Sequence, residues 1–186
     1  MKKVLIIAVI LVISIMLSVL IVSKVTTMYS GDMWIYRDIE ELSSRATDIV
    51  RVEVLGSRVR WISTALPPSR RDREDHVVHR LRVIEVFKGG AEPGAVMEVM
   101  QPGPITRRLT GLDAYNFARG EDLILFMRSF DDGLPAVLLT LHQAVYRVVT
   151  SDDSSIEVEN YCEFNDLILT MEDLQRIADE YFGRNP

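Results

Sequence analysis

Ile49-Val50-Arg51-Val52-Glu53-Val54-Leu55-Gly56-Ser57-Arg58-Val59-Arg60-Trp61-Ile62 is the stretch whose reading decides the fold. Val50, Val52 and Val54 alternate with Arg51 and Glu53, the period of a strand with one face buried. After Gly56 the phase shifts, and Val59 and Trp61 alternate with Arg58 and Arg60. A phase shift at a glycine predicts a β-bulge or sharp bend. Bends of that kind let one strand serve two faces of a small, strongly curved sheet.

Working outward, Pro67 to Asp75 reads as a loop by composition. His76 to Lys88 reads as a second long strand, with Leu81 and Val83 on one face before a second slip brings in Ile84 and Val86. Gly89-Gly90 and Pro93-Gly94 mark turns, and Val96 to Met100 is a third strand. Gln101 to Gly120 has little periodicity, as expected of a functional or mobile stretch or of an unrecognised element. Leu123 to Met127 is almost continuously apolar, hence a central strand. Asp131-Asp132-Gly133 predicts a hairpin turn. Pro135 to Leu141, Gln143 to Thr150 and Ile156 to Asn160 read as further strands, with a turn over Ser151 to Ser155.

A helix is expected at each end of this run. Ile39, Leu42, Ala46 and Ile49 recur at helical spacing behind Asp38, Glu40 and Glu41. At the far end Thr170 is placed to N-cap, with Asp173 at the third position and Leu169 able to staple to Leu174. Leu174, Ile177, Ala178 and Tyr181 form the apolar face, and Gly183 is the expected stop. The expected class is mainly β with flanking helices (α+β), as a small bent OB-like barrel.

Three blocks carry a resemblance. They are Ala46-Thr47-Asp48-Ile49-Val50-Arg51-Val52-Glu53-Val54-Leu55; Arg82-Val83-Ile84-Glu85-Val86-Phe87-Lys88-Gly89 with Pro93-Gly94 and Gln101-Pro102-Gly103; and Gly120 to Met127 with Gln143 to Val148. Together they resemble bacterial extracytoplasmic domains related to the tissue-inhibitor-of-metalloproteinase and netrin-like barrels. The resemblance implies a fold and no functional residues. Those inhibitors chelate a protease's metal with an N-terminal cysteine, and the one cysteine here, Cys162, lies near the far end.

Val4 to Ser23 is an uncharged run of twenty residues between Lys2-Lys3 and Lys24. As a helix it would be roughly 30 Å long, enough to cross a bilayer. Its length, and an exit without an A-x-A pattern, favour a retained transmembrane anchor over a cleaved signal peptide. The flanking lysines favour the body outside the cytoplasm. The expected organisation is an anchor or uncleaved signal over 1–24, a linker over 25–36 and a barrel domain with its C-terminal helix over 37–186. Trp34 and Tyr36 suit either the membrane interface or packing on the domain.

Charge and composition narrow the function. The net charge is −6, and without Lys2, Lys3 and Lys24 the rest carries 18 basic against 27 acidic groups, or −9. Such a body is not built to bind nucleic acid over its whole surface. One cysteine allows no intramolecular disulfide and no cysteine-rich zinc site. His76 and His79 face opposite sides of a strand, and no H-E-x-x-H, G-x-S-x-G or phosphate-loop motif occurs. No cofactor, metal ligand set or catalytic residue is therefore assigned.

The uneven feature is basic: Arg58, Arg60, Arg70, Arg71, Arg73, Arg80 and Arg82 lie close together in sequence. If the two long strands pair as a hairpin, Arg58, Arg60, Arg80 and Arg82 share an outer face. They are the candidate binding residues, against the plainer reading of a solvated face with local ion pairs. The expectation is a non-enzymatic, single-pass, membrane-anchored domain binding an envelope protein, anionic lipid or wall polymer. The alternatives are an envelope hydrolase whose carboxylates converge only in three dimensions, and an accessory subunit of a membrane complex.

Overall fold

The computed structural model describes residues 35–63, 73–110, 114–150 and 156–184, all within one compact unit, Ile35–Pro186. The Val4–Ser23 segment, most of the Pro67–Asp75 loop and the Ser151–Ser155 turn lie outside the described residues. Among the described residues no helix is long and apolar enough to cross a membrane. Seven strands among the described residues form one sheet: β1 (Asp48–Ser63), β2 (Arg73–Lys88), β3 (Val96–Pro102), β4 (Asp122–Arg128), β5 (Ala136–Leu138), β6 (Val145–Thr150) and β7 (Ile156–Asn160). Three helices among the described residues accompany them: α1 (Ile39–Arg45), α2 (Pro104–Thr110) and α3 (Met171–Arg184). The class is α+β, mainly β with flanking helices.

The sheet runs β1-β2-β3-β5-β4-β6-β7, and β1 also pairs with β4, so five strands close into a ring. All neighbours are antiparallel except β3 and β5. The closure works because β1 is irregular. Its register against β2 slips at three places, one of them between Val54 and Gly56, where Leu55 is the extra residue. Gly56 adopts φ 150°, a value open to glycine and rare for other residues. The first half of β1 thus reaches β4 over Asp48–Glu53, while the second half continues with β2 as a hairpin. Arg51 locks the closing seam with three hydrogen bonds to the Asp122 carboxylate, from Nε at 3.0 and 3.2 Å and from Nη2 at 2.7 Å.

Two large clusters of buried residues lie on the two sides of these strands, and a third, small one joins Ile62, Val78 and Met100 near the far end of the β1–β2 hairpin. Val50, Val52, Val54, Leu81, Val83, Val99, Leu123 and Leu125 fill the inside of the ring. Ile49, Phe87, Ile124, Phe126 and Tyr146 face outward and are covered by Leu42 of α1 and Leu174 and Ile177 of α3. β4 is buried on both faces, which is why its sequence is a continuous apolar run.

Several expectations need correction. β2 begins at Arg73, so Asp75 belongs to a strand and not to the loop. The unpatterned stretch after Gln101 contains α2. The strand expected over Pro135 to Leu141 is only Ala136–Leu138, because β5 pairs by two residues with each neighbour. α3 runs past Gly183 to Arg184, so the glycine does not stop it. Its start is as expected: the Asp173 amide donates to Thr170 Oγ1, and the Asp173 carboxylate accepts from the Thr170 amide, each at 3.1 Å. Of the two placements open to Tyr36, packing on the domain holds. The residue is buried, and Gln143 clamps its backbone by accepting from its N–H at 2.7 Å and donating to its carbonyl at 3.0 Å.

α2 shows why the sequence hides it. It opens with Pro104 at its first position, where no amide hydrogen is needed. The capping position is Gly103, which has no side chain to accept the free amides behind it. Asp75 of β2 does so instead, its carboxylate taking the N–H of Ile105 and of Thr106 at 2.8 Å each and the Thr106 hydroxyl at 2.6 Å. A Cβ on Gly103 would collide with that carboxylate and with the Asp75 backbone, so the glycine makes room for its own cap. Burial works to raise the Asp75 pKa, but the hydrogen bonds from Thr106 and Ile105 outweigh it and hold the group below the usual carboxylate value.

Candidate functional site

The arginine face is built by register. Opposite β1, Arg58 meets Val78, Arg60 meets His76, Gly56 meets Arg80 and Glu53 meets Arg82. Directly opposed residues share a face, and so do His76, Val78, Arg80 and Arg82, two apart along β2. Arg58, Arg60, Arg80 and Arg82 therefore stand on one side of the hairpin. The Leu55 bulge makes this hold. It transfers the outward phase from Glu53 to Gly56, Arg58 and Arg60.

β3 adds a residue the sequence reading passed over. Glu98 lies opposite Arg80 and pairs with both Arg58, at 3.0 Å, and Arg60, at 2.5 Å. Arg82 pairs with Glu53 at 3.0 Å. Arg80 has no ion pair among the described residues, and it is exposed. Four guanidinium groups are thus set against Glu53, Glu98 and Glu74, which stands two residues before His76 on the same face, leaving the face net positive by one on an acidic body. The pairs are partly solvated and hold side-chain positions more than they stabilise, at about 0.2–1 kcal/mol each. Val78, opposite Arg58, is fully buried with Ile62 and Met100 beneath Leu134 and Val137, so an apolar cluster sits beside the arginines on this face. Beside this face, Glu98, Phe130, Leu134 and Pro135 line a cleft of about 280 Å³ between β3 and the β4–β5 turn. Alternation along β3 would have revealed that Glu98 points outward, but only the register places it among the arginines.

A second constellation was also not visible in the sequence. Ser57, His79 and Gln101 come from three strands into one hydrogen-bonded row. Gln101 Oε1 accepts the Tyr115 amide at 2.7 Å, so the Gln101 Nε2 end faces His79 and donates to its Nε2 at 3.1 Å. His79 Nε2 is then the bare nitrogen, and Nδ1 carries the hydrogen donated to Ser57 Oγ at 2.7 Å. A general base needs a bare nitrogen toward the serine, so this tautomer does not activate Ser57. His79 is fully buried, its ring 4.6 Å from that of Phe117. Burial pushes its pKa down to about 4, which keeps it neutral. The row closes polar groups inside the sheet.

Cys162 lies 3.5 Å from His142 Nδ1, a contact between residues far apart in sequence that no local pattern signals. A cleft of about 290 Å³ between α1 and α3 is lined by Glu40, Ser44, Lys88, Arg176 and Glu180. Within it Lys88 donates to the Ser43 carbonyl at 2.8 Å, and burial lowers the Lys88 pKa, with Asp48 working in the other direction. Its other cation, Arg176, is already held by Glu40 and Asp173. Among the described residues no three His, Cys, Asp or Glu side chains are grouped to hold a metal ion. No protein-family model and no curated protein matches the chain.

Proposed function

We propose that this protein is a membrane-tethered, extracytoplasmic binding domain that engages an anionic partner through the face made by Arg58, Arg60, Arg80 and Arg82. The observation that supports the reading is the convergence of four arginines from two strands onto one side of a hairpin, three of them paired to two carboxylates, Glu98 and Glu53, and Arg80 without an ion pair among the described residues. The partner is an acidic envelope protein or an anionic lipid or wall polymer. The tether is the uncharged Val4–Ser23 segment, with the body outside the cytoplasm. The reading does not involve catalysis, and the tautomer at His79 argues against the Ser57–His79 pair as a hydrolytic one.

An OB-like barrel is the architecture we assign to the ring. The order β1-β2-β3-β5-β4, closed by β1 and β4, supports it, as do the parallel β3–β5 contact and a helix between β3 and β4. The resemblance to the inhibitor and netrin-like barrels belongs to the same proposal.

The test replaces all four arginines with Gln in the full chain and measures binding to anionic vesicles and wall polymer. Binding should weaken, and added salt should weaken the parent protein in the same way. Equal binding by the quadruple variant to every anionic surface would sink the proposal.

A further inference from the structure

We propose that the outer edge of β1 from Ser57 to Ile62 takes up an extended segment of an acidic protein partner by strand addition. The segment would turn acidic side chains to Arg58 and Arg60 and apolar ones to Val59 and Trp61. This rests on the arginine-face reading and narrows the partner to a polypeptide.

Among the described residues this edge is open. β1 pairs with β4 over Asp48–Glu53, and its last backbone contacts on that side are those of Val54 with Glu121 and Gly120. From Ser57 to Ile62, among the described residues, its only strand partner is β2. A strand paired on one side offers a row of backbone donors and acceptors on the other, a template for another chain.

The side chains flanking that row alternate in kind. Val59 and Trp61 are 54% and 57% exposed, on the face opposite the arginines. Strand addition draws affinity from main-chain hydrogen bonds and specificity from alternate side chains. An added segment with the same alternation places carboxylates beside guanidinium groups and apolar groups beside Trp61. The charge also selects against a second copy of this chain, because two such edges brought together would set arginine against arginine.

The experiment uses the full chain in lipid nanodiscs, with Trp34→Phe so that emission reports Trp61. The probe is a peptide of about eight residues, the length of an ordinary strand, alternating Glu and Val. It should shift the emission saturably, and high salt or Arg58→Gln with Arg60→Gln should weaken it. N-methylating one alternating set of peptide amides should weaken binding at least about tenfold, and methylating the other set should not, since only one set faces β1. Equal binding by both methylated peptides would overturn strand addition. So would equal binding by a block peptide with all Glu before all Val, which leaves the arginine face as a purely electrostatic site. No binding by any peptide overturns this inference, while loss of vesicle or polymer binding in the quadruple arginine variant would keep the broader reading. An emission shift that grows with protein concentration alone would assign the edge to a second copy and also overturn it.

Discussion

Asp75 holds the start of α2 from a strand remote in sequence, so replacing it takes the carboxylate acceptor away from the Ile105 and Thr106 amides. Asp75→Ala should cost about 2 kcal/mol, within the range for a lost cap with buried groups left unpaired. Urea unfolding of the two proteins measures it, and an unchanged midpoint would show that α2 does not depend on this carboxylate. His79 sets a separate pH response. Its folded pKa of about 4 lies below the ordinary 6.5, so the unfolded chain binds more protons between those values. Stability from keeping His79 neutral is complete above pH 6.5 and falls by about 3 kcal/mol as pH drops to 4. Asp75 and Asp173 act lower. Their depressed pKa values stabilise the fold above 3.8 and lose that effect as pH falls below it. Urea midpoints taken from pH 7 to pH 4.5 should therefore decline, and the decline should flatten in His79→Gln.

At the scale of elements, α3 is laid over β2 and β7 and α1 over β4, on the outer side of the sheet. Leu174 is fully buried against Leu42, Phe87 and Tyr146 in that layer. Leu174→Ala should cost on the order of 2–5 kcal/mol, the range for a buried leucine whose cavity cannot close. A change near zero on thermal or urea unfolding would mean that the helix is a solvated appendage. α3 was legible in the sequence, because its cap, staple and apolar face all lie within a few residues of one another. α2 was not, because its cap comes from β2. The bulge at Gly56 was legible from the phase of the valines. The shortness of β5 was not, since the residues around Ala136–Leu138 are apolar enough for a longer strand and only the limited pairing with β3 and β4 ends it.

The molecule carries a net charge of −6, against which the β1–β2 hairpin sets Arg58, Arg60, Arg80 and Arg82, and Glu98 tempers that concentration. Glu98→Gln would remove the shared partner of Arg58 and Arg60 and raise the charge of the face by one. Binding to anionic vesicles or wall polymer should tighten by about a few-fold at low ionic strength, and the gain should shrink with salt. Opposite signs for Glu98→Gln and the quadruple arginine variant would separate a real anion-binding face from a loss of folding. Co-sedimentation at two salt concentrations reads both, and weaker binding by Glu98→Gln would count against the face. The candidate residues themselves were readable, since their crowding in sequence is a local fact. Their arrangement depends on three register slips between β1 and β2 that act over the length of the hairpin.

By itself the sequence determined which segments are strands, where β1 bends, that β4 is central and how the last helix begins. Each of these depends on a residue's own burial and on neighbours a few positions away, and periodicity records both. Only the tertiary structure decided that Asp75 caps α2, that Gln143 clamps Tyr36, that Gln101 sets the tautomer of His79 and that Glu98 sits among the arginines. Those contacts join residues from different strands. Sheet register brings them together through backbone hydrogen bonds that are nearly indifferent to side-chain identity, so no short-range pattern in the chain encodes them.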